Sequence, residues 1–318
     1  MSRLFLGVDT SNYTTSLALV DESGVIRASL QKLLPVKDGE AGLRQSDAVF
    51  QHTKALPSLS EELFRSLTAG DTLAAVGVSV KPRDAEGSYM PCFLAGLSFA
   101  SGVAGAMRLP LYRLSHQAGH IMAGVVSSEM KDTQETPFLS FHVSGGTTEA
   151  LLVTPRDADF DCRKIGGTTD ASAGQIIDRL GVLAGLPFPC GKALDELAKS
   201  SQKTLPIFSR THDGSFSLSG LQNKCEKFLA DGETAADTAK FLFSCLARTL
   251  ERSTEQLRAL YADLPVLYAG GVMSNSHIRS VLAKLKNTYF ASPTLSRDNA
   301  VGVAYLARKS FLQEGATA

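Results

Sequence analysis

Two segments of this chain share one pattern: an apolar strand, a short polar turn and a second apolar strand. The first segment covers residues 4–20 and turns at residues 10–14, and the second covers residues 138–154 and turns at residues 144–147. Small and polar residues dominate both turns, so several backbone N–H groups and hydroxyls can point at one phosphate group. One such turn is commonplace. Two in corresponding places indicate an internal duplication, and hence two similar lobes around a nucleotide-binding cleft.

The length and composition of the chain suit two lobes. Its 318 residues are long for a single hydrophobic core, and 44% hydrophobic with 20% charged residues excludes wholesale disorder. The 32 basic and 32 acidic side chains cancel, so no overall positive field attracts nucleic acid or an anionic membrane. An RNA partner would therefore need a local basic patch, for which the candidates are Lys81, Arg83, Lys224 and Lys227.

We place the first lobe at residues 1–112, the second at residues 113–293, and the C-terminal helix (294–318) on the first lobe. In the first lobe we predict antiparallel strands at residues 4–9, 15–20 and 24–28, followed by a polar stretch at 31–46. A helix at 51–67, a buried strand at 73–80 and an apolar helix at 93–107 complete it. The second lobe repeats the three strands at residues 138–143, 148–154 and up to 165. It continues with helices at residues 172–184, 192–200 and 234–261, a strand at 266–269 and a helix after 275.

The cysteines and the N-terminus predict an intracellular setting. The five cysteines are scattered without CxxC spacing, which suits reduced thiols better than a disulfide framework. The first residues lack the apolar region of a signal peptide, and no run approaches the ~18 apolar residues of a membrane span. We therefore expect a cytoplasmic protein without a membrane partner.

Two histidines have the spacing of a metal-ligand pair. His116 and His120 are four residues apart, so on a helix their imidazoles lie on one face within reach of one ion. Asp298, at the start of the last helix, is the candidate third ligand and would reach across the cleft. Two ordinary histidines on a helix flank are the alternative.

Other residues have two interpretations each. Asp9 ends the first strand and either directs a metal or water or caps a turn. Asp178 binds ribose or substrate hydroxyls, or else pairs with Arg179. Gly270-Gly271 stands between a strand and a helix, where glycine permits close approach of a nucleoside, and Asn275 either contacts that ligand or caps the helix.

These pieces occur together, in order, in one known family. The chain resembles the TsaD family of tRNA threonylcarbamoyladenosine synthesis proteins, formerly called O-sialoglycoprotein endopeptidases, within the acetate kinase, sugar kinase, Hsp70 and actin superfamily. The resemblance rests on nine landmarks: Gly7-Val8-Asp9-Thr10-Ser11, Gly96-Leu97-Ser98-Phe99-Ala100, His116-Gln117-Ala118-Gly119-His120, Val143-Ser144-Gly145-Gly146, Asp178, Pro189-Cys190-Gly191, Phe216-Ser217-Leu218-Ser219-Gly220-Leu221, Ala269-Gly270-Gly271-Val272 with Asn275, and Asp298-Asn299-Ala300.

The resemblance implies an α/β fold of two RNase H-like, actin-like lobes and transfer of threonylcarbamoyl from threonylcarbamoyl-AMP to N6 of adenosine in tRNA. It implies ATP or an adenylate as ligand, and a divalent metal, iron or zinc, with magnesium also suitable. A smaller paralogue and an ATPase are the implied partner proteins. The implied residues are Asp9 and Ser11 for catalysis, His116, His120 and Asp298 for the metal, and Ser144, Gly145, Gly146, Thr147, Asp178, Gly191 and Asn275 for substrate and nucleotide.

The chain departs from the family pattern at four places. Asn12-Tyr13-Thr14 replaces a Cys-Asp-Glu segment, so two carboxylates are absent from that loop. Ala118 replaces a glutamate, Thr147 replaces a histidine, and residues 80–84 replace a Gly-Pro-Gly loop. We therefore expect a divergent paralogue. The alternatives to the transferase are a non-catalytic nucleotide- or metal-binding partner or regulator, and a carbamoyltransferase with another acceptor.

Overall fold

The computed structural model describes residues 2–11, 13–36, 43–130 and 136–317, with the side chain of residue 317 excepted. Asn12 and the middle of the predicted polar stretch, residues 37–42, lie outside the described residues. The chain divides into two compact units. Unit 1 contains Met1–Ser127, Pro155–Cys162 and Thr294–Ala318, and unit 2 contains Ser128–Thr154 and Arg163–Pro293.

The sheet of unit 1 has the strand order β3-β2-β1-β4-β5. The first three strands form an antiparallel meander, and β4 and β5 continue the sheet parallel to β1. The central strands are apolar on both faces because helices pack on each side of them. The strands are β1 (Ser2–Ser11), β2 (Thr14–Asp21), β3 (Ile26–Leu33), β4 (Asp71–Lys81) and β5 (Leu111–Ser115), and the helices are α1 (Gln45–Arg65), α2 (Phe93–Met107), α3 (His116–Ser127) and α9 (Val301–Thr317).

Helices α3 and α9 approach each other closely at two glycines. A Cβ atom on Gly302 would lie 1.8 Å from the carbonyl oxygen of Gly119, and one on Gly119 would lie 2.8 Å from a methyl group of Val303. Only glycine at these positions permits this contact. The predicted lobe boundary after residue 112 assigns α3 to the second lobe. Because α3 packs against α9, it belongs instead with the sheet of unit 1.

The sheet of unit 2 repeats the topology of unit 1. Its order is β12-β11-β6-β7-β8-β10-β9, with β6 and β7 antiparallel and β11 and β12 continuing parallel to β6. The strands are β6 (Phe138–Val143), β7 (Thr148–Arg156), β8 (Asp159–Thr168), β9 (Thr211–His212), β10 (Ser215–Phe216), β11 (Val266–Ala269) and β12 (Thr288–Phe290). The helices are α4 (Ala173–Leu183), α5 (Gly191–Lys199), α6 (Ser219–Ala230), α7 (Ala235–Tyr261) and α8 (Ser276–Leu282).

Most predicted elements are present, with shifted ends. The strand predicted at residues 24–28 lies at Ile26–Leu33, because Gly24 has a φ of +86° and belongs to the turn before it. Helix α1 begins at Gln45, six residues before its predicted start, and continues through Pro57. Helix α6 and strand β5 were not predicted. None of the helices in the described part of the chain combines the length and the apolar character that a membrane span requires.

Candidate metal and phosphate sites

The close packing of α3 and α9 brings together two imidazoles and a carboxylate within unit 1. The Nε2 atom of His120 lies 3.0 Å from Oδ1 of Asp298, and Nε2 of His116 lies 3.8 Å from the same oxygen. One ligand atom from each of the three residues lies within 4.8 Å of the others. Asp298 therefore does not reach across a cleft, as the sequence suggested, because all three residues belong to one unit.

His116 is oriented by a buried carboxylate. Its Nδ1 atom lies 2.9 Å from Oδ1 of Asp9, which is 0% exposed at the end of β1. This hydrogen bond assigns the proton to Nδ1 and directs Nε2 toward Asp298, the arrangement common behind metal-binding histidines. Burial disfavours the Asp9 carboxylate, but the charge and hydrogen bond of His116 lower its pKa overall. Burial likewise opposes protonation of His116, but Asp9 and Asp298 raise its pKa to about 9.

The hairpin loop of unit 1 supplies hydroxyls instead of carboxylates. Thr14 donates a long hydrogen bond, 3.4 Å, from Oγ1 to Oδ2 of Asp298. The Ser11 backbone N–H donates to Oδ2 of Asp9, so Asp9 also caps its own turn. Among the described residues, the buried Ser11 hydroxyl has no hydrogen-bond partner. Thr15 contacts the buried His52 of α1 at 2.7 Å, a histidine that the sequence analysis did not single out.

The Ser144–Thr147 turn of unit 2 is fixed by hydrogen bonds from the start of α4. Ser172 donates to the carbonyl of Gly145 at 2.5 Å, and the Gly174 N–H donates to the carbonyl of Ser144 at 3.1 Å. The two ends of the turn are joined by a hydrogen bond from the Ser144 N–H to the Thr147 carbonyl at 2.7 Å. A Cβ atom on Gly174 would lie 2.5 Å from Cα of Gly145, so glycine permits this contact.

The two glycines at the tip of this turn face open space. A Cβ atom on Gly145 or Gly146 would meet nothing within 4 Å. Within the described ranges, neither glycine donates its backbone N–H in a hydrogen bond. Unpaired N–H groups at the tip of a fixed turn suit an anionic oxygen.

Two separate landmarks of the sequence, Asp178 and the Pro189-Cys190-Gly191 segment, lie together in the structure. Oδ1 of Asp178 accepts a hydrogen bond from the Cys190 backbone N–H at 2.8 Å. The alternative pair of Asp178 with Arg179 does not form, because Arg179 donates to Gln222 at 2.8 Å. Gly191 follows directly as the first residue of α5.

Asn275 caps helix α8 and is itself held by an aspartate that sequence reasoning missed. Its Oδ1 accepts from the Ile278 N–H at 2.9 Å, and its Nδ2 donates to Asp195 Oδ1 at 2.8 Å. Asp195 also accepts from Ser276, so it fixes the whole start of α8. Gly270, with a φ of +100°, lies against the backbone of Val143 and ties this segment to strand β6.

Two of the lysines predicted for a basic patch are neutralised. Lys81 pairs with Asp84 at 2.5 Å, and Lys227 pairs with Asp231 at 2.7 Å. Lys224 instead lies over aromatic rings. Lys81 belongs to unit 1 and Lys224 and Lys227 to unit 2.

Comparison with known sequences identifies close matches over most of the chain. A family model described as TsaD, tRNA N6-adenosine threonylcarbamoyltransferase, matches residues 38–305. A protein of Carboxydothermus hydrogenoformans named tRNA N6-adenosine threonylcarbamoyltransferase is 30% identical over 318 aligned residues, covering 96% of this chain and 91% of its own length. A protein of the same name from Sulfurihydrogenibium sp. is 28% identical, covering 98% and 91%.

Solved structures with a similar fold are more distant in sequence. HypF of T. kodakarensis superimposes with a TM-score of 0.61 at 13% identity, over 99% of this chain and 48% of HypF, so the chain spans about half of that protein. A ROK family glucokinase from Streptomyces griseus, solved with glucose and AMPPNP, has a TM-score of 0.51 at 16% identity, over 96% of this chain and 99% of its own. The predicted α/β fold of the actin and sugar-kinase type is confirmed.

Proposed function

The chain belongs to the TsaD family of tRNA N6-adenosine threonylcarbamoyltransferases, and we propose that it transfers a threonylcarbamoyl group to the N6 nitrogen of an adenosine in tRNA. The observation that carries this proposal is the His116, His120 and Asp298 cluster with Asp9 behind His116. We propose threonylcarbamoyl-AMP as the donor and the cytoplasm as the location of the reaction.

The donor set fits a divalent cation. Two imidazole nitrogens and one carboxylate oxygen within 4.8 Å suit iron or zinc, and magnesium is a further candidate. A cation held there would supply positive charge to an oxygen of the donor. Asp9 is a positioning residue in this proposal, because it is fully buried and holds Nδ1 of His116. Ser11 belongs to the same buried group.

Unit 2 contributes the residues proposed for the nucleotide. The unpaired backbone N–H groups of Gly145 and Gly146, with the Ser144 and Thr147 hydroxyls beside them, are suited to phosphate oxygens. Asp178 and Gly191 are assigned to the nucleoside because their hydrogen-bonded loop presents a carboxylate and a helix start together. Asn275, fixed by Asp195, is assigned to the same ligand.

The reaction needs positioning more than acid–base chemistry from this chain. The N6 nitrogen forms a bond to the carbamoyl carbon, the bond from that carbon to the phosphate oxygen breaks, and AMP leaves with the N6 proton on its phosphate. We assign the proton to the leaving group because residues 12–14 carry no carboxylate. Binding both substrates in register and stabilising charge on the leaving phosphate are the contributions left to the protein.

The test is transfer of labelled threonylcarbamoyl from its adenylate to unmodified tRNA, with and without divalent metal. It is run with the protein alone and with the family's smaller paralogue and ATPase, the proposed partners. We expect metal-dependent labelling of tRNA that Asp298→Ala abolishes and that Asp161→Ala, at an exposed aspartate of the same unit, leaves intact. Bound nucleotide without labelling would instead indicate a non-catalytic paralogue. Labelling of a small acceptor alone would indicate a different substrate.

A further inference from the structure

A groove in unit 2 has no part in the site described above. Its larger cavity has a volume of about 530 Å³ and lies between the segment at residues 208–217 and helices α6 and α7. A second cavity of about 430 Å³ adjoins it, and both are lined by Arg210 and Ser217. We call the two together the Arg210 groove.

The larger cavity is positively charged. Arg210 and Lys224 both line it, and no carboxylate does. Across the described residues, neither cation forms an ion pair or donates to a carboxylate. Lys224 instead lies 4.8 Å from the ring centroid of Phe208. Arg252 adds a third positive charge nearby, since it donates to the Ser209 carbonyl at 3.0 Å.

The carboxylates around the groove are already engaged. Asp170 accepts hydrogen bonds from the Ser217 hydroxyl and from the Leu218 and Ser219 backbone N–H groups. Asp213, in the second cavity, lies 3.3 Å from His212. Both carboxylates keep their charge, so the three cations and two carboxylates named here sum to one positive charge, which favours anions.

A buried hydroxyl lines the same cavity. Ser209 lines the larger cavity, and its buried Oγ atom has no hydrogen-bond partner among the residues that the structure describes. A buried hydroxyl without a partner costs free energy unless a ligand or water satisfies it. Ser217 also lines the cavity, but its hydroxyl donates to Asp170. Among the described residues, the cavity thus combines two cations that pair with no carboxylate and one hydroxyl that is free to donate, and these groups suit a phosphate oxygen.

We propose that the Arg210 groove binds phosphate groups of an RNA backbone, with Arg210 and Lys224 contacting successive phosphates. Two adjoining cavities that share Arg210 suit an extended polyanion better than a single small ion. The inference rests on the proposed function, which requires an RNA substrate. The groove also connects to the Ser144–Thr147 turn, because Asp170 holds its Ser217 wall while Ser172, two residues on, holds Gly145.

The test measures binding of unmodified tRNA to Arg210→Gln and Lys224→Gln across a salt series, by fluorescence anisotropy. Each change should weaken binding about three- to tenfold at moderate salt and reduce the slope of log K against log salt by roughly one. Lys227→Gln is the matched control, since Lys227 lies on the same helix but is paired with Asp231. Ser209→Ala, which removes only the hydroxyl, should weaken binding without altering the slope. Thermal melts of each variant confirm folding.

Each outcome decides between sources of the phosphate. Unchanged affinity and slope in both charge variants, or no RNA binding by the wild type, overturns the proposal. The proposal is also overturned, in favour of a small-anion site, if inorganic phosphate raises the melting temperature of the wild type but not of the charge variants, while these variants bind tRNA as the wild type does. The proposed function is scored separately by transfer in the wild type. If the wild type transfers threonylcarbamoyl and the variants bind RNA normally, only the groove is rejected. If RNA binds through the groove but the wild type transfers nothing, only the transferase is rejected.

Discussion

Nδ1 of His116 lies 2.9 Å from Oδ1 of Asp9, and the carboxylate is completely buried behind the imidazole. The hydrogen bond leaves Nε2 of His116 facing Asp298. An aspartate that the sequence presents as a candidate catalytic group therefore acts on the proposed metal through a histidine.

Replacing Asp9 with asparagine preserves the shape of this pair but removes the charge. Loss of a carboxylate behind a metal-binding histidine typically lowers metal affinity about 10- to 100-fold. We expect a loss in that range, measured by calorimetric titration with Zn²⁺ or Fe²⁺. Asp161→Asn, at an exposed position of unit 1, should bind as the wild type does. Equal affinity for Asp9→Asn and Asp161→Asn would mean that Asp9 does not orient a metal ligand.

Gly302→Ala should separate α3 from α9. The new Cβ atom would lie 1.8 Å from the carbonyl of Gly119, and such overpacking costs roughly 1–3 kcal/mol. Because both histidines are on α3, metal affinity should fall together with the melting temperature. Gly315→Ala is the control in the same helix, where a Cβ atom meets nothing within 4 Å. Similar melting temperatures for the two variants would contradict the close helix contact.

Gly174→Ala should displace the Ser144–Thr147 turn. A Cβ atom at Gly174 would lie 2.5 Å from Cα of Gly145, so the turn must move to admit it. We expect weaker protection of the protein by ATP or AMP in thermal melts, with the metal affinity of unit 1 unchanged. Gly102→Ala, in α2 with open space around it, serves as the control. Undiminished protection by nucleotide in Gly174→Ala would remove this turn from the proposed nucleotide site.

Asp170 should make unit 2 sensitive to acid. Burial alone would raise the pKa of its carboxyl, but hydrogen bonds from Leu218, Ser217 and Ser219 lower it below the usual value. A lowered pKa stabilises the fold above the unfolded value of about 4, and that stability is lost as the pH falls below it. Asp170→Asn should lower stability by about 1 kcal/mol at neutral pH, since the side chain is exposed and solvent screens it.

The measurement for Asp170 is urea unfolding at pH 7 and at pH 3. The difference between Asp170→Asn and the wild type should shrink at the lower pH, because unfolded wild-type protein takes up a proton at Asp170 near pH 4 while the folded protein does not. Asp213→Asn, which lacks these hydrogen bonds, should show no such change. A constant difference at both pH values would mean that the charge of Asp170 does not support the start of α6.

Local patterns in the sequence were sufficient for much of the fold. Helix α2 and strands β6 and β11 lie at their predicted residues, because apolar periodicity and bounding turn residues decide such elements within a short window. The same local patterns predicted the two hairpins, and the correspondence of the hairpins indicated the internal duplication of the chain. Helix α6 and strand β5 were not predicted, because short or weakly amphipathic segments depend on their neighbours for stability.

By itself, the sequence determined the repeated hairpins, the histidine spacing and the family. Only the tertiary structure decided which groups meet: Asp298 with His120 across 178 positions of chain, Asp9 with His116, Asp195 with Asn275 and Arg210 with Lys224 in one cavity. The physical reason is that helix contacts such as Gly119 against Gly302 depend on the absence of a side chain at two distant positions. No local periodicity records which two glycines will face each other.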